Sequence, residues 1–351
     1  MQIQSVKSKL GEIRYRQKIS RQHTGQKIYV EAEPNQIEMR QILSERLYEY
    51  QKTFSDLKRK NLLKSPFLEI GAEYCLASSL LVNKFNNTGV ALDISIHSLA
   101  NAAHFSKIFH FSRTPAIICA DANNLPFARN TFPFVFVYES LHHFPDPLPV
   151  LKEIYRVMTP GGVCLIGNDP IAQTFQLKLW HRPTKLRPWE KILKTMLILP
   201  FISHIGKTEA EHQIIEDAFP LNVWENSLSI FDHVEITIQS RLGFNESLSK
   251  SENKNWLSPK LTTRLSLNIL GGGLQAICFK YGQGHKMASK LDNLLICPQC
   301  FTKKHQEKKL FKIGQLYICR NCNSHYGKHS GVLTLLNKDL EKSILQIANC
   351  T

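Results

Sequence analysis

The sequence predicts an α/β fold, a parallel sheet wound with helices, followed by a small module built on four cysteines. Two observations carry this. From Pro66 onward short apolar segments alternate with helix-length ones, which is the pattern of repeated β–α units. Near the C-terminal end, Cys297-Pro-Gln-Cys300 and Cys319-Arg-Asn-Cys322 stand 18 residues apart, a spacing that brings four thiols together.

Residues 1–60 read as a basic tail followed by a helix near 36–59. Strands are expected at 67–71 (FLEIG), 89–94 (GVALDI), 116–120 (AIICA), 132–138 (FPFVFVY) and 162–167 (GVCLIG). Helices are expected at 76–83, 97–109 and 147–158, the last ended by Pro160-Gly161-Gly162. The rhythm then breaks. Residues 170–228 hold no convincing strand and read as helices joined by Pro-bearing turns, an insertion in the main domain at 61–281. Two β-like segments return at 231–238 and 274–280, and a polar linker at 282–291 leads to the cysteine module at 292–337 and a tail at 338–351.

With 351 residues and 43% hydrophobic content, the chain can bury one large core and a smaller one. No apolar run is long enough to span a bilayer; the longest candidate, 196–205, is interrupted by Pro200. The formal charge of +15 is concentrated at the ends. Seven Lys/Arg face Glu12 alone in residues 1–30, and seven face Asp292 and Glu307 in 292–337, so both ends would be drawn to polyanions unless they are ordinary solvated surface. The five cysteines outside the two pairs are scattered through apolar runs, which suits reduced thiols and a cytoplasmic location.

Taken in order, LEIGAEYC, GVALDIS, ADANNLPF, FVFVYESLHHFPDP and LKEIYRVMTPGGVCLIG resemble the class I S-adenosylmethionine-dependent methyltransferases, in particular the ubiquinone/menaquinone-methyltransferase-like group. The resemblance runs from Phe67 to about Lys280 and implies a Rossmann-like seven-stranded sheet, with 170–228 as a helical lid over the acceptor. It implies cofactor contacts at Glu69, Gly71, Ala72 and Glu73 after the first strand and at Asp93 and Ile94 after the second. Asp121, Ala122 and Glu139 follow after the third and fourth. In the family's pattern the Asp93 position accepts both ribose hydroxyls, and the Asp121 position faces the adenine amino group. Each aspartate read singly is equally a turn or cap residue.

One turn departs from that pattern. Glu73 and Cys75 stand where the family has its second and third glycines. Glu73 could crowd the methionine end of the cofactor, turn outward, or accept a bond from the cofactor's ammonium group. A scaffold that no longer binds cofactor is the non-enzymatic reading this leaves open.

Methyl transfer is an in-line displacement, so alignment in a dry site does much of the work and a base is needed only if the acceptor must lose a proton. His142 and His143, just past the fourth strand, are the candidate bases; the structural alternative has one packing at the sheet edge and the other capping a turn. The tract lacks the Asn/Asp-Pro-Pro-aromatic motif of enzymes that methylate exocyclic amines of DNA. Within the insertion, His181, Arg182, Lys185 and Arg187 lie among Trp180 and Trp189, suiting an anionic or ring-bearing small-molecule acceptor, and Glu209, His212 and Glu216 share a helical spacing. An RNA or a translation protein, held by the basic ends, is the competing acceptor.

Four thiolates from Cys297, Cys300, Cys319 and Cys322 would close a structural zinc site with no open position. The surrounding residues, with Gly331 to Leu336, resemble the Trm112-like zinc-ribbon family, whose members often partner methyltransferases; here the ribbon is fused to its methyltransferase.

Overall fold

The structure is a computed structural model that describes residues 2–26, 34–173, 179–180, 203–204, 218–250, 255–283 and 290–349. Two helices, α1 (Gln2–His23) and α2 (Gln36–Arg59), precede the sheet. The central strands β1 (Phe67–Ile70), β2 (Gly89–Asp93), β3 (Ala116–Ala120), β4 (Phe132–Tyr138) and β5 (Met158–Ile171) are all parallel. Both faces of these strands are covered, which is why they read as continuous apolar runs. Phe67, Phe134 and Phe136 face Phe54 and Leu57 of α2 and Leu80 and Leu81 of α3 (Leu76–Lys84). The alternate residues Leu68, Val135 and Val137 point the other way, toward the core that holds Leu151 and Ile154 of α6 (Leu148–Val157). Between them, the helix expected over 97–109 is two, α4 (Ile96–Ala100) and α5 (Ala102–Ile108), parted at Asn101, whose side chain turns back to the His97 carbonyl.

After β5 come a short parallel pair, β6 (Leu179–Trp180) with β7 (Ser203–His204), and then α7 (Leu221–Leu228). His181, Arg182, Lys185, Arg187, Trp189, Glu209, His212 and Glu216 of the expected lid lie outside the described residues. The chain returns as β8 (His233–Ser240), β9 (Asn245–Ser249), α8 (Leu261–Leu270) and β10 (Gly272–Phe279). β10 runs antiparallel between β5 and β8, and β9 closes that edge. The sequence hid β9 because NESLS, an edge strand, is half exposed along its length.

The C-terminal region comprises α9 (Pro298–Lys304), the antiparallel sheet of β11 (Phe311–Ile313), β12 (Leu316–Ile318) and β13 (His325–Tyr326), then β14 (Lys328–His329), β15 (Val332–Leu335) and α10 (Lys338–Asn349). It does not stand apart. β15 pairs in parallel with β3, Leu333 opposite Ile118 and Leu335 opposite Ala120, so the sheet runs to ten strands in the order β14-β15-β3-β2-β1-β4-β5-β10-β8-β9. One apolar core contains Leu68 and Val135 together with Cys297, Cys319, Tyr326 and Leu335. Each such buried aliphatic side chain contributes about 1.5 to 3 kcal/mol.

Both expected tails are helices. α1 replaces the basic tail: Ile13, Tyr15 and Ile19 are buried, and Ile13 packs with Ala72, Ile96 and Leu99. α10 replaces the C-terminal tail, with Leu340 and Ile344 in the same cluster. Among the described residues no helix is long and apolar enough to cross a membrane.

Candidate functional site

The turn after β1 keeps a glycine-type backbone even where glycine is missing. Gly71 has φ +72°, and a Cβ there would sit 2.0 Å from Ser140 Oγ, so no other residue fits. Glu73 (φ 45°) and Cys75 (φ 57°) adopt the left-handed conformation with side chains attached, at a cost of about 1 to 2 kcal/mol each. Cys75 is buried in one apolar cluster with Ala72 and with Ile96 and Leu99 of α4. Glu69 Oε2 accepts the Ser78 amide at 3.2 Å, tying β1 to the start of α3, and burial pushes its carboxyl up to about 8.

The carboxylates at the next strand ends are held by backbone amides. Asp93 Oδ2 accepts the Glu73 N–H at 2.9 Å and Oδ1 the Ser95 N–H at 2.8 Å, which fixes the group while leaving lone pairs for two further donors. Burial raises its pKa, and these amides oppose the rise. Asp121 Oδ1 accepts the Asn123 N–H at 3.0 Å, while Oδ2 is taken by Lys9 Nζ at 2.6 Å.

Lys9 belongs to α1, which lies over this end of the sheet. From the same helix Arg16 pairs with Glu73 at 2.9 Å and with Glu12 at 2.7 Å. From α2, Arg46 reaches Glu73 at 3.6 Å and Glu139 at 3.2 Å. Glu73 is thus turned toward two guanidiniums. Lys9 and Arg16, counted among the basic residues of a polyanion-seeking end, have internal partners.

These groups surround a cavity of ≈ 590 Å³. Glu69, Gly71, Ala72, Glu73, Asp93, Ile94, Asp121, Ala122 and Glu139 all line it, as do His142 and His143. The two imidazoles lie with ring centres 4.2 Å apart. His142 Nδ1 is 3.0 Å from Asp169 Oδ1, which also accepts the His142 backbone N–H at 3.2 Å. Asp169 is fully buried; burial raises its carboxyl and His142 pulls it back down. A carboxylate at Nδ1 selects the tautomer whose lone pair is on Nε2, the form suited to accept a proton.

Sequence reasoning missed Lys9, Arg16, Arg46 and Asp169. A signal existed for Asp169 alone, since it follows a strand segment as Asp93 and Asp121 do. The helical residues carried none, because nothing local announces that α1 and α2 reach the cavity.

The four cysteines converge. Their sulfurs all lie within 4.8 Å of one another, with Cys297–Cys322 at 3.5 Å and Cys300–Cys319 at 3.7 Å. Tetrahedral zinc with bonds of about 2.3 Å sets its sulfurs about 3.8 Å apart, so the donor set fits such an ion. Around the cluster, the Arg156 guanidinium covers the Phe301 ring at 4.5 Å and pairs with Glu307 at 3.2 Å, joining α9 to α6.

Residues 68–166, from β1 into β5, match the profile of a family described as a methyltransferase domain. A demethylmenaquinone methyltransferase of Staphylococcus haemolyticus is 31% identical over 130 residues, 34% of this chain and 53% of that protein. Cycloartenol-C-24-methyltransferase 1 of Oryza sativa is 33% identical over 81 residues, 23% of this chain and 24% of that protein. The matched segments thus span about half or less of these relatives. Among solved structures, phosphoethanolamine N-methyltransferase 2 of Haemonchus contortus with S-adenosyl-L-methionine aligns with a TM-score of 0.37 and 16% identity, covering 66% of this chain and 53% of that one. Residues 68–166 are a methyltransferase domain on a Rossmann-like, mostly parallel sheet.

Proposed function

We propose that the protein transfers the methyl group of S-adenosylmethionine to a small-molecule acceptor in the cytoplasm, with His142 as general base and Asp169 as the residue that orients it. The observation that carries this reading is one cavity in which Asp93, Asp121, Glu73 and His142 meet at the carboxyl end of a parallel sheet, with Asp169 buried behind His142. Asp93 would receive the ribose hydroxyls, and Ala122 and Asp121 would meet the adenine once Lys9 has left its carboxylate. Arg16, Arg46, Glu73 and Glu139 present both signs of charge, which suits a zwitterionic amino-acid group. The bound cofactor supplies an electrophilic methyl on a sulfonium. His142 Nε2 would take the proton of an acceptor O–H or acidic C–H as the acceptor's oxygen or carbon bonds to the methyl and the methyl–sulfur bond breaks to leave a neutral thioether, and Asp169 would stabilise the resulting imidazolium.

We assign the four-cysteine cluster to structural zinc in a ribbon that stiffens the β3 edge of the sheet. Calorimetry of S-adenosylmethionine on the zinc-loaded chain, beside Asp93→Ala, tests the reading: micromolar binding abolished by the substitution is expected. Absence of binding at millimolar cofactor would leave a scaffold rather than an enzyme.

A further inference from the structure

We infer that the face formed by α8 and the β8–β9 turn docks the protein peripherally on an anionic lipid bilayer. Ten large apolar side chains are exposed among the described residues, and five of them lie here: Leu242, Phe244, Leu261, Leu265 and Ile269, exposed by 44 to 71%. Scattered exposed apolar residues are ordinary, but their concentration on one face marks an interaction surface. Leu261, Leu265 and Ile269 recur every four residues and form a stripe along the outer side of α8, while Thr263, Ser266 and Leu267 are buried beneath. Hydrogen bonds at both ends hold the helix beside the turn. The Lys260 N–H donates to the Glu246 carboxylate at 3.0 Å, and the Arg241 N–H to the Gly271 carbonyl at 3.3 Å. The stripe and the turn therefore share one surface.

The charges around it choose the occupant. Arg241, Lys260 and Arg264 are exposed at its margin, and the carboxylate of Glu246 is engaged by the Lys260 amide. Apolar side chains framed by cations suit an interface where the former enter the acyl boundary and the latter meet lipid phosphates. A second copy is disfavoured, because a two-fold contact would set the same cations against each other in a chain of net charge +15. β8 is antiparallel to β10, and β10 to β5, so β8 ends at the carboxyl end of the sheet, the end that bears the cavity. Docking itself does not depend on the proposed reaction. Its consequence does: under that reading the cavity's end of the sheet faces the bilayer, where apolar acceptors partition.

The test is co-sedimentation of the full-length, zinc-loaded protein with vesicles of phosphatidylcholine alone and of phosphatidylcholine with an equal part of phosphatidylglycerol. Binding to the mixed vesicles is expected, falling with added salt and reduced about tenfold or more in Leu265→Glu/Ile269→Glu and in Arg241→Glu/Arg264→Glu. Unchanged S-adenosylmethionine binding by these variants, none of whose altered residues line the cavity, would report an intact fold. Failure of the parent chain to bind mixed vesicles, or equal binding by the variants, overturns the proposal. So does a parent dimer in sedimentation velocity that Leu265→Glu converts to monomer, which assigns the face to a second copy. Vesicle binding without any cofactor binding would sustain the docking and refute the methyltransferase reading.

Discussion

Replacing Glu73 with glycine tests whether the altered turn is adapted or damaged. Two opposing effects on stability follow from the structure. Glu73→Gly releases a left-handed residue at φ 45°, a gain of about 1 kcal/mol. It also removes the half-buried Arg16 pair at 2.9 Å, worth about 1.5 to 2 kcal/mol, and the more exposed Arg46 pair at 3.6 Å, worth under about 1 kcal/mol. The net loss is about 1 kcal/mol, a Tm drop of no more than about 2 °C in a chain of this size. Binding responds differently. In the ion-pair network at this turn three carboxylates (Glu12, Glu73, Glu139) stand against two guanidiniums (Arg16, Arg46), and glycine at 73 removes one negative charge from it. One negative charge fewer beside a sulfonium costs roughly 1 kcal/mol in a partly solvated site, so cofactor affinity should fall about fivefold by calorimetry. A fivefold gain instead would show that Glu73 crowds the cofactor, and would refute the account in which its arginine partners hold it clear.

Lys9→Met leaves Asp121 without its cation and should tighten S-adenosylmethionine binding several-fold, about 1 kcal/mol, since the cofactor no longer displaces a salt bridge; weaker binding would show Lys9 to be part of the site. Asp169→Asn should lower turnover about a hundredfold with cofactor affinity unchanged, and nitrogen NMR should show His142 losing its single tautomer; an unaltered His142 spectrum would count against the orienting role. Because Cys297 and Cys319 share a core with β1 and β4, treating the chain loaded with zinc with a chelator should lower the Tm of the whole chain by about 10 °C or more in one transition, and two transitions with the main one unmoved would contradict the shared core. Glu69 has its folded value raised to about 8 from 4.5, so the stability its neutral form contributes is complete below about 4.5 and is lost as pH rises through about 8. The Tm of the cofactor-free protein should therefore fall between about pH 4.5 and pH 8 and level off above that, and Glu69→Gln should flatten that fall.

The sequence by itself determined the five parallel strands, the residues that close them and the clustering of the four cysteines. Those features are written in local periodicity: a doubly covered strand must be apolar throughout, and a carboxylate at its end has a fixed direction relative to the sheet. Tertiary structure alone decided three other matters. α1 passed for a tail because the face it buries includes Gln17, Ser20, Gln22 and His23 beside Ile13 and Ile19, and a helix that covers a polar cavity need not show an apolar stripe. The pairing of β15 with β3 joins segments more than 200 residues apart, and nothing in VLTL names its partner. The fate of Glu73 was open for the same reason. Its charge is answered by Arg16 and Arg46, which reach it from two other helices, and only the packing of α1 and α2 over the carboxyl end of the sheet brings those guanidiniums within bonding distance.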